Sequence, residues 1–217
     1  MNNDFIIVLA WPELMVQGPG SWYDFLFGKE RKVRGGHSAL ILVNSITKRL
    51  HYMDNGRYHC PLGYSRVRDE ETDHDVKISL LADIQNEEIQ NIEEILNETA
   101  HKKANHGEGT LYASVLADVN FKSAYFYAKK IQERGAIPYG PFVKNGTNCS
   151  RFVASTILHS FPPIITKLRL IFPCTIIPSA KRNVSTCNRN YYVVDKKECK
   201  KINRNIISGY FKSIERR

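Results

Sequence analysis

The chain opens on an unbroken apolar run, residues 5–11 (Phe-Ile-Ile-Val-Leu-Ala-Trp), stopped by Pro12. A short, continuous apolar segment rich in β-branched residues predicts a strand buried on both faces. A loop rich in Pro and Gly follows (Pro12, Gly18, Pro19, Gly20), then a short aromatic helix predicted at 21–27 with Ser21 as its cap. Residues 29–34 form a basic connector. A second apolar run, 38–43, is introduced by Gly35-Gly36-His37, turns around residues 44–48 and is answered by a strand at 49–54. Together these predict a β-hairpin.

Further along, residues 76–81 predict another strand, and 86–103 give the clearest helical pattern. There Ile89, Ile92 and Leu96 recur at helical spacing, with glutamates on the exposed face and lysines at the end. Residues 111–116 predict a strand. Asn120 caps a second helix running to Gln132, with Gly135 as its stop. Residues 136–143 read as strand or loop, and 149–159 as a third helix with an apolar seam of Phe152, Val153, Ile157 and Leu158. Pro162-Pro163 and Pro173 break up the next stretch of chain, before a late strand at 191–194. Helices and strands are interspersed without strict βαβ alternation, so the expected class is α+β. There is no internal repeat.

Composition narrows this picture. At 217 residues, with 42% hydrophobic and 24% charged residues, the chain suits one soluble domain with a core of useful size. No apolar run approaches bilayer-spanning length. The N-terminus has neither a basic leader nor a small-residue cleavage site, which predicts a cytoplasmic location. The five cysteines (Cys60, Cys149, Cys174, Cys187, Cys199) are scattered and form no Cys-x-x-Cys pair. Reduced thiols are therefore expected, with neither a disulfide framework nor a zinc site. The neighbouring His51, His59 and Cys60 have no matching cluster elsewhere, so no metal and no cofactor is expected.

The net charge of +9 is uneven: residues 196–217 hold eight Lys or Arg against Glu198 and Glu215, a net +6. The expected organisation is a catalytic domain over 1–195 and a basic tail over 196–217, whose Ile206, Ile207, Tyr210 and Phe211 suggest partial packing. A solvated tail is the ordinary reading. The functional alternative is a non-catalytic binding module for an anionic partner. No recognition-helix or RNA-binding motif accompanies the tail, so nucleic acid is not an expected partner.

The candidate chemistry lies elsewhere. Cys149 stands where the loop 139–146, which carries Gly140 and Gly146, gives way to the third helix. A thiol at a helix start sits among unpaired N–H groups and the positive end of the helix dipole, both of which favour thiolate. Its neighbours Thr147, Asn148 and Ser150 are polar, unlike the setting of a cysteine that merely fills a core. His37, behind two glycines that permit close approach, is the candidate base. A third group should hold the imidazole tautomer. If the hairpin turn centres between Ile46 and Thr47, His37 faces Gly56 and Asp54 lies diagonally on the same face. A one-residue slip would present His51 instead. A carboxylate suits a developing imidazolium better, so Asp54 is expected. Arg57 either binds a substrate carboxylate or pairs with Asp54. Trp11, with Trp22 and Tyr23, offers aromatic lining for a substrate groove, against its commoner use in core packing.

The order of these parts resembles the circularly permuted branch of the papain-like, NlpC-type superfamily, which includes the lecithin retinol acyltransferase-like proteins. Histidine comes first on a hairpin, a polar residue follows on the next strand, and cysteine arrives about a hundred residues later on a helix. The resemblance rests on Asn148-Cys149-x-x-Phe152-Val153, on His37-Ser38-Ala39-Leu40-Ile41, and on a Tyr-x-Asp-x-Gly-Arg-Tyr segment, Tyr52 to Tyr58, similar to that of bacterial members. It covers roughly residues 33–58 and 139–158. It implies a permuted papain-like fold, an antiparallel sheet packed against the cysteine-bearing helix. It also implies a Cys149–His37–Asp54 triad working through a thioester, with the Cys149 N–H in the oxyanion hole. Animal acyltransferases of this branch use histidine at the orienting position, where this chain has Asp54. The implied substrate is a peptide, a cell-wall fragment or an acyl lipid. With no export signal, cell-wall work would be limited to recycling imported fragments.

Overall fold

β1 (Asp4–Trp11) runs through the middle of an eight-stranded sheet, and every residue from Phe5 to Trp11 is buried. The computed structural model describes residues 4–17, 32–34, 36–140, 143–172, 179–196, 198–205 and 214. The strands in chain order are β2 (Met15–Gln17), β3 (Lys32–Arg34), β4 (His37–Val43), β5 (Leu50–Gly56), β6 (Tyr64–Arg68), β7 (Ile84–Gln85), β8 (Glu88–Ile89), β9 (Leu111–Val119), β10 (Ile137–Pro138), β11 (Tyr191–Asp195) and β12 (Glu198–Ile202). Among the described residues five α-helices join them: α1 (Ile92–His101), α2 (Phe121–Gln132), α3 (Cys149–His159), α4 (Ile164–Ile171) and α5 (Ala180–Cys187). The large sheet has the order β10-β6-β5-β4-β1-β9-β11-β12, and each neighbouring pair is antiparallel. The expected α+β class with an antiparallel sheet against the cysteine helix is the fold observed.

Strand periodicity explains why the first run is apolar throughout. Successive side chains alternate faces, so Phe5, Ile7, Leu9 and Trp11 join a core with Ile92, Ile95 and Leu96 of α1. Ile6, Val8 and Ala10 join a second core with Ala124 and Ala128 of α2, Phe152, Val153 and Ile157 of α3, and Val184 of α5. The sheet thus needs apolar residues on both sides, and burying each large aliphatic side chain contributes about 1.5–3 kcal/mol. The helix that carries Cys149 lies on the second face, where it packs over β4 and β5.

Several expectations need correction. The helix predicted over 86–103 starts only at Ile92. Asn86 and Glu87 take left-handed conformations (φ 51° and 61°) and make the turn of the small β7–β8 hairpin. Residues 76–81 form no ladder, although Val76 and Ile78 are buried in the first core. The boundary drawn between 195 and 196 falls inside the β11–β12 hairpin, where Asp195 pairs with Glu198. Residues 198–202 are therefore the edge strand of the sheet. The helix expected at 21–27, Trp22, Tyr23, Cys174 and the apolar residues 206–211 lie outside the described residues. Among the described residues, no helix is long and apolar enough to cross a membrane.

Candidate active site

The loop before α3 is tied to itself. The Thr147 N–H donates to the Pro138 carbonyl at 3.0 Å, the Gly140 N–H to the Thr147 carbonyl at 3.1 Å, and the Gly146 N–H to the Val143 carbonyl at 3.1 Å. A Cβ on Gly146 would stand 2.5 Å from the Pro138 carbonyl oxygen, so this crossing admits only glycine. Asn148 then adopts an extended conformation and caps the helix, its carboxamide oxygen accepting the Arg151 N–H at 2.8 Å. Cys149 is the first residue of α3 and is buried. Its sulfur meets the His37 ring, the Ser38 N–H and the Ser150 hydroxyl, the last at 3.9 Å.

His37 opens β4. Gly36 before it has φ +62°, with its N–H donating to the Leu14 carbonyl at 3.1 Å. The imidazole stacks on the Trp11 indole, with ring centroids 5.8 Å apart and planes at 25°. Its Nε2 lies 2.9 Å from Asp54 Oδ2, which leaves Nδ1 for the thiol. Ala39 pairs with Asp54 across the β4–β5 ladder, and the same register extended by two residues sets His37 opposite Gly56. That is the register of a turn centred between Ile46 and Thr47.

Asp54 is wholly buried and accepts from every side. Arg68 Nε reaches Oδ1 at 2.8 Å, while Arg68 Nη2, the Tyr52 hydroxyl and the Tyr58 hydroxyl reach Oδ2 at 3.0, 2.9 and 3.1 Å. The Arg68 guanidinium lies 3.6 Å over the Tyr58 ring, which also stacks with His106 at 5.1 Å.

Protonation is set by these contacts. Burial opposes charge on all three groups, and in each case the partners outweigh it. For His37, burial is overcome by its bonds to Asp54 and Cys149, which raise it from 6.5 to about 9. For Asp54, bonds from His37 and Arg68 hold the carboxyl well below its usual range. For Cys149, the His37 bond and charge, the Ser38 N–H and Ser150 lower the thiol below its ordinary value of 9.0. Cys187 is the internal control: equally buried, with Arg169 too weak to compensate, it is pushed up to about 12. Burial alone pushes a thiol up; the partners shift Cys149 toward the thiolate and His37 toward the imidazolium.

A cavity of about 380 Å3 opens onto the pair, bordered by Leu14, Arg57, Tyr58, His106 and Tyr139 in addition to His37, Asn55 and Cys149. Arg57 borders it, while Asp54 is paired with Arg68. Trp11 does not line it. The indole is fully buried beneath His37 and against Gly107, so the expectation of a substrate-binding Trp11 gives way to a role in packing. His51 is also elsewhere: it pairs with Leu42, its ring packs on Phe121 and Tyr125, and Nδ1 lies 3.7 Å from Glu70. Sequence reasoning missed Arg68, the direct cross-strand neighbour of Asp54. It also missed Asn55, whose two amide atoms are buried without a partner. A buried unpaired polar atom costs about 1–3 kcal/mol, so it calls for an explanation.

A model of the type VI secretion system effector TseH-like family matches residues 6–163, well over half of the chain and the span that holds all of these residues. The chain belongs to the TseH-like family. Its fold is similar to the crystal structure of the type VI secretion system effector TseH, with TM-score 0.64 over 92% of this chain and 98% of that one. At 20% identity that likeness speaks to fold alone. No curated protein matches the chain. The TseH-like match ends soon after α3, so α5 and the β11–β12 hairpin lie beyond it.

Proposed function

We propose that this TseH-like protein is a cysteine hydrolase with a permuted papain-like, NlpC-type site. It would cleave an amide or isopeptide bond through Cys149, His37 and Asp54. The observation that carries the reading is the opposed behaviour of two buried groups in contact, a thiol lowered and an imidazole raised to about 9. Burial works against both shifts, so a site with no use for an ion pair has no reason to hold one there.

On this reading the reaction would proceed in two stages. The Cys149 thiolate attacks the substrate carbonyl carbon, and the charge on the carbonyl oxygen develops toward the N–H of Cys149 at the start of α3. His37 delivers its proton to the leaving nitrogen, the C–N bond breaks and a thioester remains. A water molecule then attacks the thioester while His37 accepts its proton. The acid departs and the thiolate returns. Asp54 stays ionised throughout, fixing the tautomer with Nδ1 toward sulfur and stabilising the imidazolium.

Family membership supports an effector role: delivery by a type VI secretion system and action on a target outside the cell that makes it. Such delivery lifts the restriction to recycled fragments. The likeness of the motif to NlpC-type enzymes favours peptide or isopeptide bonds of cell-wall material over acyl lipids.

Brief iodoacetamide treatment at neutral pH, read by mass spectrometry, should label Cys149 far ahead of Cys60, Cys174, Cys187 and Cys199. Purified protein incubated with peptidoglycan stem peptides should release a new amine and a new carboxyl, and Cys149→Ala should release neither. Equal labelling of all five thiols would sink the nucleophile. Rapid labelling without cleavage would remove the cell-wall substrate alone.

A further inference from the structure

Asn55 follows Asp54 on β5 and borders the cavity that holds Cys149, yet its side chain takes no part in the bonds that link Cys149, His37, Asp54 and Arg68. It is 0% exposed, and neither Oδ1 nor Nδ2 has a hydrogen-bond partner. Among the described residues it is the one buried side-chain amide with both atoms orphaned. Asn105 and Asn183 each leave only Oδ1 unpaired, their Nδ2 groups donating to Thr99 O and Ser150 O at 2.9 Å. Strand alternation fixes the face. Asp54 shares the His37 side of the sheet, whereas Asn55 follows Met53, which packs in the core beside Phe152 and Val153 of α3. Asn55 is thus placed on the face that carries the start of the cysteine helix, at the wall of the same cavity.

A carboxamide offers one acceptor and one pair of donors on a planar group. The chemical unit that satisfies both at once is another amide: its carbonyl takes the donor and its N–H fills the acceptor. An ester satisfies the donor and leaves Oδ1 buried and unpaired.

We propose that Asn55 reads a peptide unit of the substrate, Nδ2 donating to its carbonyl oxygen and Oδ1 accepting its N–H, so that the site selects secondary amides over esters. The proposal rests on the reading of Cys149 as nucleophile. It names the side chain that would enforce the preference for amide bonds already proposed. A site built to hydrogen-bond a particular N–H discriminates strongly against the analogue that lacks it, because its own buried group is then stranded.

The test uses two affinity labels differing in one atom: acetyl-alanyl chloromethyl ketone and its isostere with the amide N–H replaced by an ester oxygen. Each alkylates the thiolate, forming an S–C bond as the C–Cl bond breaks and chloride leaves. Their rates, read by intact-protein mass, are normalised to the rate of methyl methanethiosulfonate, a small thiol reagent with no amide. The wild-type protein should react about tenfold or more faster with the amide label, and Asn55→Leu should bring the ratio close to one. Asn55→Asp keeps an acceptor, so its ratio should persist while both labels slow. Asn55→Ser, too short to span both groups, replaces the leucine variant if circular dichroism finds that variant unfolded. A wild-type ratio near one, or the same ratio in wild type and Asn55→Leu, overturns the proposal. Slow reaction of wild-type Cys149 with methyl methanethiosulfonate would instead tell against the nucleophile itself.

Discussion

Asp54 and Arg68 face each other across the β5–β6 ladder, and the guanidinium closes on the carboxylate through Nε at 2.8 Å and Nη2 at 3.0 Å. Both side chains are almost wholly buried. With Cys149 ionised and His37 protonated, four buried charges sum to zero, so Arg68 balances the carboxylate that orients His37. Bidentate geometry suits arginine, and lysine could not reproduce it.

Removing the guanidinium leaves Asp54 with His37 and two tyrosines. Arg68→Met should therefore destabilise the fold by about 3–5 kcal/mol, the cost of breaking a buried ion pair from one side. Urea unfolding of the variant against wild type measures it. A loss below about 1 kcal/mol would mean that Arg68 is not the counter-charge.

The two protonation shifts define a pH window with different edges for two reactions. Alkylation needs only the thiolate. It should persist below pH 9.0, the ordinary thiol value, and continue above it. Turnover also needs the His37 proton for the leaving nitrogen, so it should fall as pH rises through about 9. Iodoacetamide labelling and amide cleavage measured on the same preparation separate these limits. A parallel loss of both above pH 9 would contradict the assignment.

For stability the same two shifts oppose each other. The raised His37 contributes fully below 6.5, and that contribution is lost as pH rises toward about 9. The lowered Cys149 contributes fully above 9.0 and loses its part as pH falls through its folded value. Between pH 6.5 and 9 the two contributions therefore run in opposite directions in wild type. Cys149→Ala removes the thiol's contribution and part of what raises His37. The part that Asp54 supplies remains and should be lost as pH rises, so in thermal unfolding the variant should lose more stability than wild type across the same window. An unchanged slope in that variant would argue against the ion pair.

The hairpin was readable because its turn is specified locally. The Asn44 side chain accepts the Ile46 and Thr47 N–H groups at 3.0 and 2.9 Å, and Lys48 takes a left-handed conformation. A register so fixed carries His37 and Asp54 to one face. The helix start at Cys149 was readable for a similar reason, since Asn148 is a side-chain cap. Arg68 was not, because Tyr-Ser-Arg-Val-Arg mixes charge into a segment whose burial is decided by neighbours distant in sequence. α5 hid more completely: Asn183, Ser185 and Thr186 look like surface residues and are buried. Asn183 donates to the Ser150 carbonyl at 2.9 Å, tying α5 to the first turn of the cysteine helix. Pairings of this kind satisfy polar groups across the fold and leave no periodicity to read.

Gly56 offers a prediction independent of charge. A Cβ there would lie 2.2 Å from the Tyr58 ring, which contacts the Arg68 guanidinium and the His106 ring. Gly56→Ala should displace Tyr58, remove its bond to Asp54 and open the cavity wall. Labelling of Cys149 by a bulky maleimide should quicken relative to iodoacetamide. An unaltered ratio would mean that Tyr58 does not gate that side.

Asp54→Asn tests the orienting role most directly, because shape is kept while charge and hydrogen-bond polarity change. An asparagine can turn its NH2 toward His37 Nε2, which would then have to accept and so would carry no proton. The proton would move to Nδ1, on the side of sulfur, where the neutral ring can no longer act as base. Turnover should fall by about 10^4, the scale of a tautomer reversal in a triad of this logic. The Cys149 thiol should move back up in pKa, since burial then meets a neutral partner. The substitution also leaves Arg68 buried beside a neutral amide. Unfolding should be easier by about 3–5 kcal/mol at neutral pH. That difference has a direction in pH. Asp54 is held below its ordinary 3.8, so its contribution is complete above that value and is lost as pH falls through the folded one. Wild type and variant should therefore converge in stability below about pH 3.8, as the wild-type carboxylate takes up its proton. Stability that stays equally far apart in acid, or turnover within tenfold of wild type, would show that the Asp54 charge neither holds His37 nor anchors Arg68.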